Sequence, residues 1–223
     1  MATQAEENYL TELFKLSWAV ERSVSTNALA DALETKASSV TDMVKKLSDK
    51  KWVNYQPYQG VTLSKKGKKM AVQVIRKHRL WEVFLVNQLH FRWDEIHEIA
   101  EQLEHIQSDK LIDRLDQFLG FPQFDPHGDP IPTADGKIRH HKDETLKDMN
   151  PGDVCEVVGV KAHEADFLQY LDGMNLIPGV SVEVKKRYSY DQSLVISVDQ
   201  GTDIMVSSTV SRQLLVRKKA KQL

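Results

Sequence analysis

Cysteine is almost absent from this chain of 223 residues, in which Cys155 is the only one. A single cysteine excludes an intramolecular disulfide and a metal site built from several thiolates, and it favours a reducing compartment. We expect Cys155 to be a small buried hydrophobe. Long apolar runs are also missing: no stretch of about 18 apolar residues exists, so a transmembrane helix is not expected.

Export signals are missing as well. The N-terminal sequence MATQAEENYL has no basic stretch followed by an apolar one, so it is not expected to be a signal peptide. Hydrophobic residues make up 41% of the chain and charged residues 28%, a composition of folded protein rather than of a disordered tail. We therefore expect a cytoplasmic protein with no membrane-bound part.

The net charge of −2 conceals two oppositely charged segments. Met43–Met70 contains eight lysines and one aspartate, a local charge of +7, whereas Asp94–Asp116 contains eight acidic residues, one lysine and one arginine, a local charge of −6. A basic segment suits a polyanion and an acidic segment suits cations. Two solvated faces of opposite sign are the alternative interpretation.

The pattern of apolar residues predicts three regions. Residues 1–74 are predicted to contain three helices followed by a short hairpin. Apolar residues at helical spacing near the N-terminus indicate the first helix, Thr26 caps the second, and the third covers Ala37–Asp49. Residues 75–149 are predicted to be helical, with helices capped by Asp94 and Ser108 and then a loop containing proline and glycine. Residues 150–223 contain short strands and one helix, Glu164–Leu171, and suit a small barrel.

Two short helices joined by a tight turn and followed by a lysine-flanked hairpin are typical of a winged helix-turn-helix. Such a unit places its second helix in the major groove of DNA, while lysines contact phosphates. Protein docking is the alternative use of this fold. The candidate DNA-binding residues are Thr26, Lys36, Ser38, Ser39, Thr41, Asp42, Lys45, Lys46 and Tyr58, the last at the tip of the wing.

The segment His97–His105, HEIAEQLEH, predicts a metal site. On a helix, His97, Glu101, Glu104 and His105 project from one side, and clustered carboxylates repel each other unless a cation lies among them. His78 and Glu82 repeat the i, i+4 spacing on the preceding helix. A charged, solvated helix face is the alternative.

Imidazole and carboxylate ligands suit manganese, iron(II), cobalt or zinc and disfavour calcium. The lack of a thiolate moves the prediction towards Mn²⁺, with Fe²⁺ as the alternative cofactor. A metal-dependent hydrolase is the rival function, but no Ser-His-Asp set, phosphate-binding glycine loop or catalytic acid pair stands out. A winged-helix regulator without a metal is a further alternative.

Six stretches together resemble the diphtheria-toxin-repressor family, which includes iron-dependent and manganese-dependent repressors. They are Glu7–Leu10 (ENYL), Ser38–Leu47 (SSVTDMVKKL), Leu63–Lys69 (LSKKGKK), Arg76–Leu80 (RKHRL), His97–His105 (HEIAEQLEH) and Asp125–Pro132 (DPHGDPIP). The resemblance covers almost the whole chain. It implies a mainly α fold with a small β part: a winged helix-turn-helix domain (1–74), a helical dimerisation and metal-binding domain (75–149) and an SH3-like β-barrel (150–223).

The resemblance also implies metal ligands. Glu101, Glu104 and His105 match the ligands of a primary site; Glu101 stands where iron-type members have cysteine and manganese-type members glutamate. The N-terminal ligand position falls on Asn8, where relatives have Asp or Met, and Glu7 is the substitute. Further positions that match ligands are His78, Glu82, His97, Asp125, His127, His163 and Asp166.

The function implied is that of a manganese-activated, homodimeric repressor that binds palindromic operators of metal-uptake genes. An iron(II)- or zinc-responsive regulator is the alternative within the family. Because candidate ligands come from separated segments, we expect metal to fix the spacing of the two recognition helices in the dimer, which requires tighter metal binding to the DNA-competent state.

Overall fold

The computed structural model describes residues 2–20, 23–138 and 144–219, and for residues 18–20 it describes the backbone. The helices are α1 Gln4–Val20, α2 Thr26–Ala32, α3 Ala37–Asp49, α4 Lys65–Leu89, α5 His97–Leu103, α6 Asp109–Phe118, α7 Ala165–Gly173 and α8 Ser208–Gln213. The strands are β1 Val53–Gln56, β2 Gly60–Leu63, β3 Glu144–Thr145, β4 Val154–Val160, β5 Ser181–Arg187, β6 Leu194–Val198, β7 Asp203–Val206 and β8 Leu214–Lys218. Among the described residues, none of these helices combines the length and the apolar character needed to cross a membrane.

The chain divides into two units, of which the first comprises residues 1–78, 101–115 and 132–138. Its core is formed by the apolar faces of α1, α2, α3, the hairpin and the first part of α4. Val40, Val44 and Leu47 give α3 an apolar stripe at i, i+4 and i+7, so the opposite face of this helix stays exposed. The predicted boundary at residue 74 falls inside α4, which is continuous from Lys65 to Leu89.

Helices α2 and α3 form the predicted helix-turn-helix. The cap of α2 is Ser25, whose side chain accepts a hydrogen bond from the amide of Ala28, rather than the predicted Thr26, which is the first residue of the helix. The turn places Glu34 at a positive φ of 48°, and the amide of Thr35 returns to the carbonyl of Ala30 at 2.9 Å. α3 begins and ends where the sequence predicts.

The wing is the antiparallel pair β1–β2, in register from Val53 opposite Leu63 to Gln56 opposite Gly60. Its inner strand also bridges to Val24, with backbone hydrogen bonds of 2.8 and 2.9 Å to Val61. Gly67 lets the first turn of α4 approach this hairpin, because a Cβ there would lie 2.0 Å from the carbonyl oxygen of Trp52.

The second unit comprises residues 79–100, 116–131 and 139 onwards. Within the described part of this unit, six antiparallel strands form a sheet in the order β3-β8-β4-β5-β6-β7. The alternating inward residues of β4, β5, β6 and β8 pack with α7 into one apolar core, in which Cys155 is fully buried. Burial raises the pKa of its thiol to about 11. The predicted helical region followed by a small β domain is confirmed.

One predicted helix is shorter than expected. The pattern His97–His105 predicts a single helical face, but α5 ends at Leu103, and Glu104 and His105 lie in the turn that follows. The amide of Ile106 bonds back to the carbonyl of Leu103 at 3.2 Å, which closes this turn. The predicted face of four ligands on one helix is therefore wrong, because its last two members leave the helix.

Candidate metal centres and nucleic-acid interface

Two carboxylates and two imidazoles meet in the first unit, in a group that we call the first cluster: Glu7, His78, Glu104 and His105. Nδ1 of His105 lies 2.6 Å from Oε2 of Glu7, and its Nε2 lies 3.6 Å from Oε1 of Glu104. The other oxygen of Glu104 lies 2.6 Å from Nδ1 of His78. His105 thus stands between two glutamates, each of which is only 6% exposed.

The first turn of α1 brings Glu7 into this cluster. The amide of Glu6 donates to the hydroxyl of Thr3 at 3.3 Å, and the amide of Thr3 donates to the carboxylate of Glu6 at 3.1 Å, an arrangement that caps the helix. Glu7 stands three residues before Leu10 on the buried side of α1. Its second carboxylate oxygen accepts a hydrogen bond from the side-chain amide of Gln107 at 2.9 Å, a contact that the sequence did not suggest.

The other two residues predicted for the primary site are placed differently. Asn8 follows Glu7 and is exposed, since it lies on the solvent side of α1. Glu101 is exposed on α5, although it interacts with another group of the protein. The first cluster therefore takes its N-terminal carboxylate from Glu7, the residue named only as a substitute for Asn8.

The second cluster lies in the second unit and consists of Glu82, Asp125 and His127. All three are buried, and one ligand atom of each lies within 4.8 Å of the others. Oε1 of Glu82 is 3.6 Å from Nδ1 of His127 and 3.6 Å from Nδ1 of His97. The His127 ring stacks on His163, with the ring centroids 4.8 Å apart.

Two glycines and an arginine position the loop that carries Asp125 and His127. A Cβ on Gly128, which has a φ of +92°, would lie 2.4 Å from the carbonyl oxygen of Val158. Gly159 faces it from β4, and the amide of Val160 donates to the carbonyl of His127 at 2.8 Å. Arg79 of α4 donates to the carbonyl of Pro130 at 2.6 Å and to the carboxylate of Asp129 at 2.5 Å.

This burial changes the acidities in the second cluster. Desolvation, together with the nearby charges of Glu82 and Asp129, raises the pKa of Asp125 to about 7. Burial alone lowers the pKa of His127, but the hydrogen bond to Glu82, the charges of Glu82 and Asp125 and the contact with the carbonyl of Trp93 together outweigh burial and raise the pKa. The pKa of His163 is lowered, mainly by burial. A cation would stabilise the two carboxylates and the imidazole of this cluster together, because buried charge needs a compensating partner.

Both clusters offer only carboxylate oxygens and imidazole nitrogens, a ligand set that fits divalent Mn, Fe or Zn. Among the predicted ligands, Asp166 is exposed, and its carboxylate accepts a hydrogen bond from the neighbouring amide of Phe167 at 2.8 Å. The ring of His163 stacks on His127 of the second cluster, and its Nε2 atom is buried without a hydrogen-bond partner.

Most of the candidate DNA-binding side chains lie on the exposed surface of the first unit. The exposed residues are Lys36, Ser38, Ser39, Asp42, Lys45, Lys46 and Tyr58, and the partly exposed ones are Thr26 and Thr41. Thr41 donates its hydroxyl to the carbonyl of Ala37 at 2.9 Å, and Asp42 pairs with Lys45 at 3.9 Å. Tyr58, at the tip of the wing, has a positive φ of 65°.

The C-terminal end of α3 forms ion pairs with α1 through the buried carboxylate of Glu6, a contact that the sequence did not predict. Oε1 of Glu6 lies 2.7 Å from Nζ of Lys50 and 3.0 Å from Nζ of Lys46, and Glu6 is 0% exposed. Burial raises the pKa of Glu6, but the hydrogen bond from Lys50 and the other partners outweigh it and lower the pKa to about 2.

Three family models match consecutive parts of the chain: the N-terminal DNA binding domain of iron dependent repressors over residues 1–61, their metal binding and dimerisation domain over 64–133, and the FeoA domain over 144–218. MntR, an HTH-type transcriptional regulator of Bacillus subtilis, is 30% identical over 63% of this chain and 99% of its own length. The chain belongs to the iron-dependent repressor family. It is thus a metal-dependent, DNA-binding regulator with a dimerisation domain and an SH3-like C-terminal domain.

Solved structures of this family resemble the whole chain. A manganese-dependent transcriptional repressor in complex with manganese is 34% identical, with a TM-score of 0.83, over 96% of this chain and 99% of that one. The manganese regulator SloR is also 34% identical, with a TM-score of 0.73, over 96% of this chain and 98% of its own. The iron-dependent repressor IdeR of Mycobacterium leprae is 34% identical over 47% of this chain and 45% of its own length.

Proposed function

We propose that this chain is a manganese-activated, homodimeric transcriptional repressor that binds palindromic operators of metal-uptake genes in the cytoplasm. The observation that carries the proposal is the first cluster, in which Glu7 and Glu104 flank both ring nitrogens of His105 in a nearly solvent-free position. This donor set contains no thiolate, and hard oxygen and imidazole ligands suit Mn²⁺.

When bound, Mn²⁺ supplies positive charge among two buried carboxylates that otherwise repel each other. Glu7 belongs to α1, whereas Glu104 and His105 follow α5, so ligands from two chain segments would hold it. In the second cluster, Glu82, Asp125 and His127, with His97 and His163 beside them, would hold a further ion. We propose that Asn8, Glu101 and Asp166 are at most additional ligands, because each is exposed.

Dimerisation is proposed to use exposed apolar side chains of the second unit. Phe118 and Phe121 are each 64% exposed and Leu89 is 53% exposed, at the ends of α6 and α4. The Phe118 ring contacts Phe84 of α4 at a centroid distance of 6.2 Å, so the two helix ends form one surface. Large exposed apolar residues that group in this way mark an interaction surface.

In the dimer, each subunit presents the exposed N-terminal half of α3 to a major groove, which requires half-sites about one helical turn apart. Lys36 and Lys45 are proposed to contact phosphates, and Ser38, Ser39 and Asp42 to face base edges. Metal increases DNA affinity only if it binds the DNA-competent state more tightly than the other state.

The test is a selection of DNA duplexes from a random-sequence pool, followed by affinity measurements with Mn²⁺, Fe²⁺ under anaerobic conditions, Zn²⁺ and a chelator. We expect a palindromic duplex whose affinity rises with Mn²⁺ and falls on chelation. An affinity that the chelator leaves unchanged would contradict metal activation. A response to Fe²⁺ or Zn²⁺ alone would replace manganese with that metal. Iron is the metal named for the relative IdeR, an iron-dependent repressor.

A further inference from the structure

Two adjacent glutamates in the first turn of α1 have different partners. Glu7 contacts His105 and Gln107 in the first cluster. Glu6 contacts Lys46 and Lys50, both from the C-terminal end of the recognition helix α3. Successive residues of a helix differ by about 100° in direction, so one helical turn reaches both groups.

The contact with α3 is well fixed. The Glu6 carboxylate is fully buried and accepts hydrogen bonds from Lys50 at 2.7 Å and from the amide of Thr3 at 3.1 Å. Nζ of Lys50 also lies 4.8 Å from the ring centroid of Trp52, directly after α3. Loss of the lysines is costly because it leaves the buried carboxylate of Glu6 without a compensating charge.

We propose that Glu6 is a positioning residue that couples metal binding at the first cluster to the orientation of the recognition helix. This inference rests on the proposed function. A change in the first turn of α1 that accompanies engagement of Glu7 displaces Glu6 as well, because the two residues share one rigid turn. Lys46 and Lys50 transmit that displacement to α3, whose N-terminal half faces DNA.

The alternative is a purely structural role, in which Glu6 only stabilises the fold. The two roles differ in their effect on coupling, which is the factor by which metal changes DNA affinity and, reciprocally, DNA changes metal affinity. A purely stabilising contact leaves this factor unchanged in the folded protein, whereas a coupling contact sets it.

The experiment compares the full chain, Glu6→Gln and Glu12→Gln. Glu12 is the matched control because it lies on the same helix but pairs only with Lys15 among the ion pairs of the described residues, at 3.7 Å. Mn²⁺ affinity is titrated on the free protein and on the protein bound to the selected duplex. Hydrogen exchange of the α3 amides is measured with and without Mn²⁺ in the absence of DNA.

We expect Mn²⁺ to raise the DNA affinity of the unaltered chain and of Glu12→Gln by a factor in the usual range for coupled sites, roughly 5–150-fold. In Glu6→Gln the factor should fall to near one, in both directions of the cycle, while Mn²⁺ affinity of the free protein stays within about twofold. The protection of α3 by Mn²⁺ should disappear in this variant only.

A folded Glu6→Gln variant that keeps the coupling factor of the unaltered chain overturns the inference. If this variant does not fold, Lys50→Gln and Lys46→Gln remove the partners from the solvent side instead, and together they must lower the factor. An unaltered chain that does not respond to Mn²⁺ is a different result, since it removes the proposed function first.

Discussion

The carbonyl oxygen of His127 faces Gly159 so closely that a Cβ at position 159 would lie 2.4 Å from it. The same Cβ would lie 2.7 Å from the Cα of Gly128. Two backbone segments are therefore in contact at this point, and the glycine of β4 positions a candidate metal ligand of the neighbouring loop.

The first prediction concerns this contact. Gly159→Ala should separate the loop from β4, cost about 1–3 kcal/mol of unfolding free energy as overpacking does, and weaken metal binding at the second cluster. Gly173→Ala is the control because nothing lies within 4 Å of a Cβ there, and it should not destabilise the protein. Urea unfolding and Mn²⁺ titration check both. A Gly159→Ala variant with unchanged stability and metal stoichiometry would contradict the geometry.

The second prediction tests whether Glu7 or Asn8 is the N-terminal metal ligand. Glu7→Gln removes the negative charge that lies 2.6 Å from His105 and should weaken the first metal site by about tenfold or more. Asn8→Ala alters an exposed residue of the same turn and should leave metal affinity unchanged. Calorimetric Mn²⁺ titration distinguishes them. The opposite ranking would return the N-terminal ligand to Asn8.

The third prediction concerns the dimer. Phe118→Glu places a charge on the exposed apolar surface near Phe84 and should weaken dimerisation by about thirtyfold or more, as expected for a central interface residue. Tyr190→Glu is the control, because Tyr190 is 100% exposed in the segment between β5 and β6. Sedimentation velocity over a concentration series measures the effect. Equal dissociation of both variants, or of neither, would place the interface elsewhere.

The fourth prediction concerns acid stability. The folded-state pKa of Glu6 is about 2, below its ordinary value of 4.5, so its contribution to stability is complete above about pH 4.5 and is lost as pH falls towards 2. Because Lys46 and Lys50 are partly exposed, we expect a contribution on the order of 2 kcal/mol. Glu6→Gln should therefore be less stable than the unaltered chain at pH 6, and the difference should shrink between pH 4.5 and pH 2. A difference independent of pH in urea unfolding would exclude the ion pair as its cause.

The DNA-binding half of the fold was predictable because its signals are local. The apolar stripe of α3 and the hairpin residues around Gly60 identify their elements without knowledge of distant contacts. The end of α5 was not predictable in the same way. No glycine or proline follows Leu103 before α6 begins, so helical periodicity continued through Glu104 and His105 although the backbone turns there.

The candidate sites were predictable as residue types and only partly as contacts. Spacing identified Glu104 and His105, but their contacts with Glu7 and His78 depend on which side of α1 and α4 faces inward. A signal for Glu7 was available, because it shares the buried side of α1 with Leu10. Glu6 has the same signal, four residues before Leu10, whereas Arg79 left none, because charged residues ordinarily lie on the surface and only its distant partners account for its partial burial.

The lone cysteine has a consequence for the conditions under which the protein works. Cys155 is enclosed in the β-domain core with its thiol held protonated, whereas the candidate ligands of both clusters are carboxylates and imidazoles. Peroxide attacks thiolates first, and it converts them to sulfenic and higher acids that no longer bind metal in the same way. The metal response of this chain is therefore expected to persist during oxidative stress that would inactivate a thiolate-based sensor.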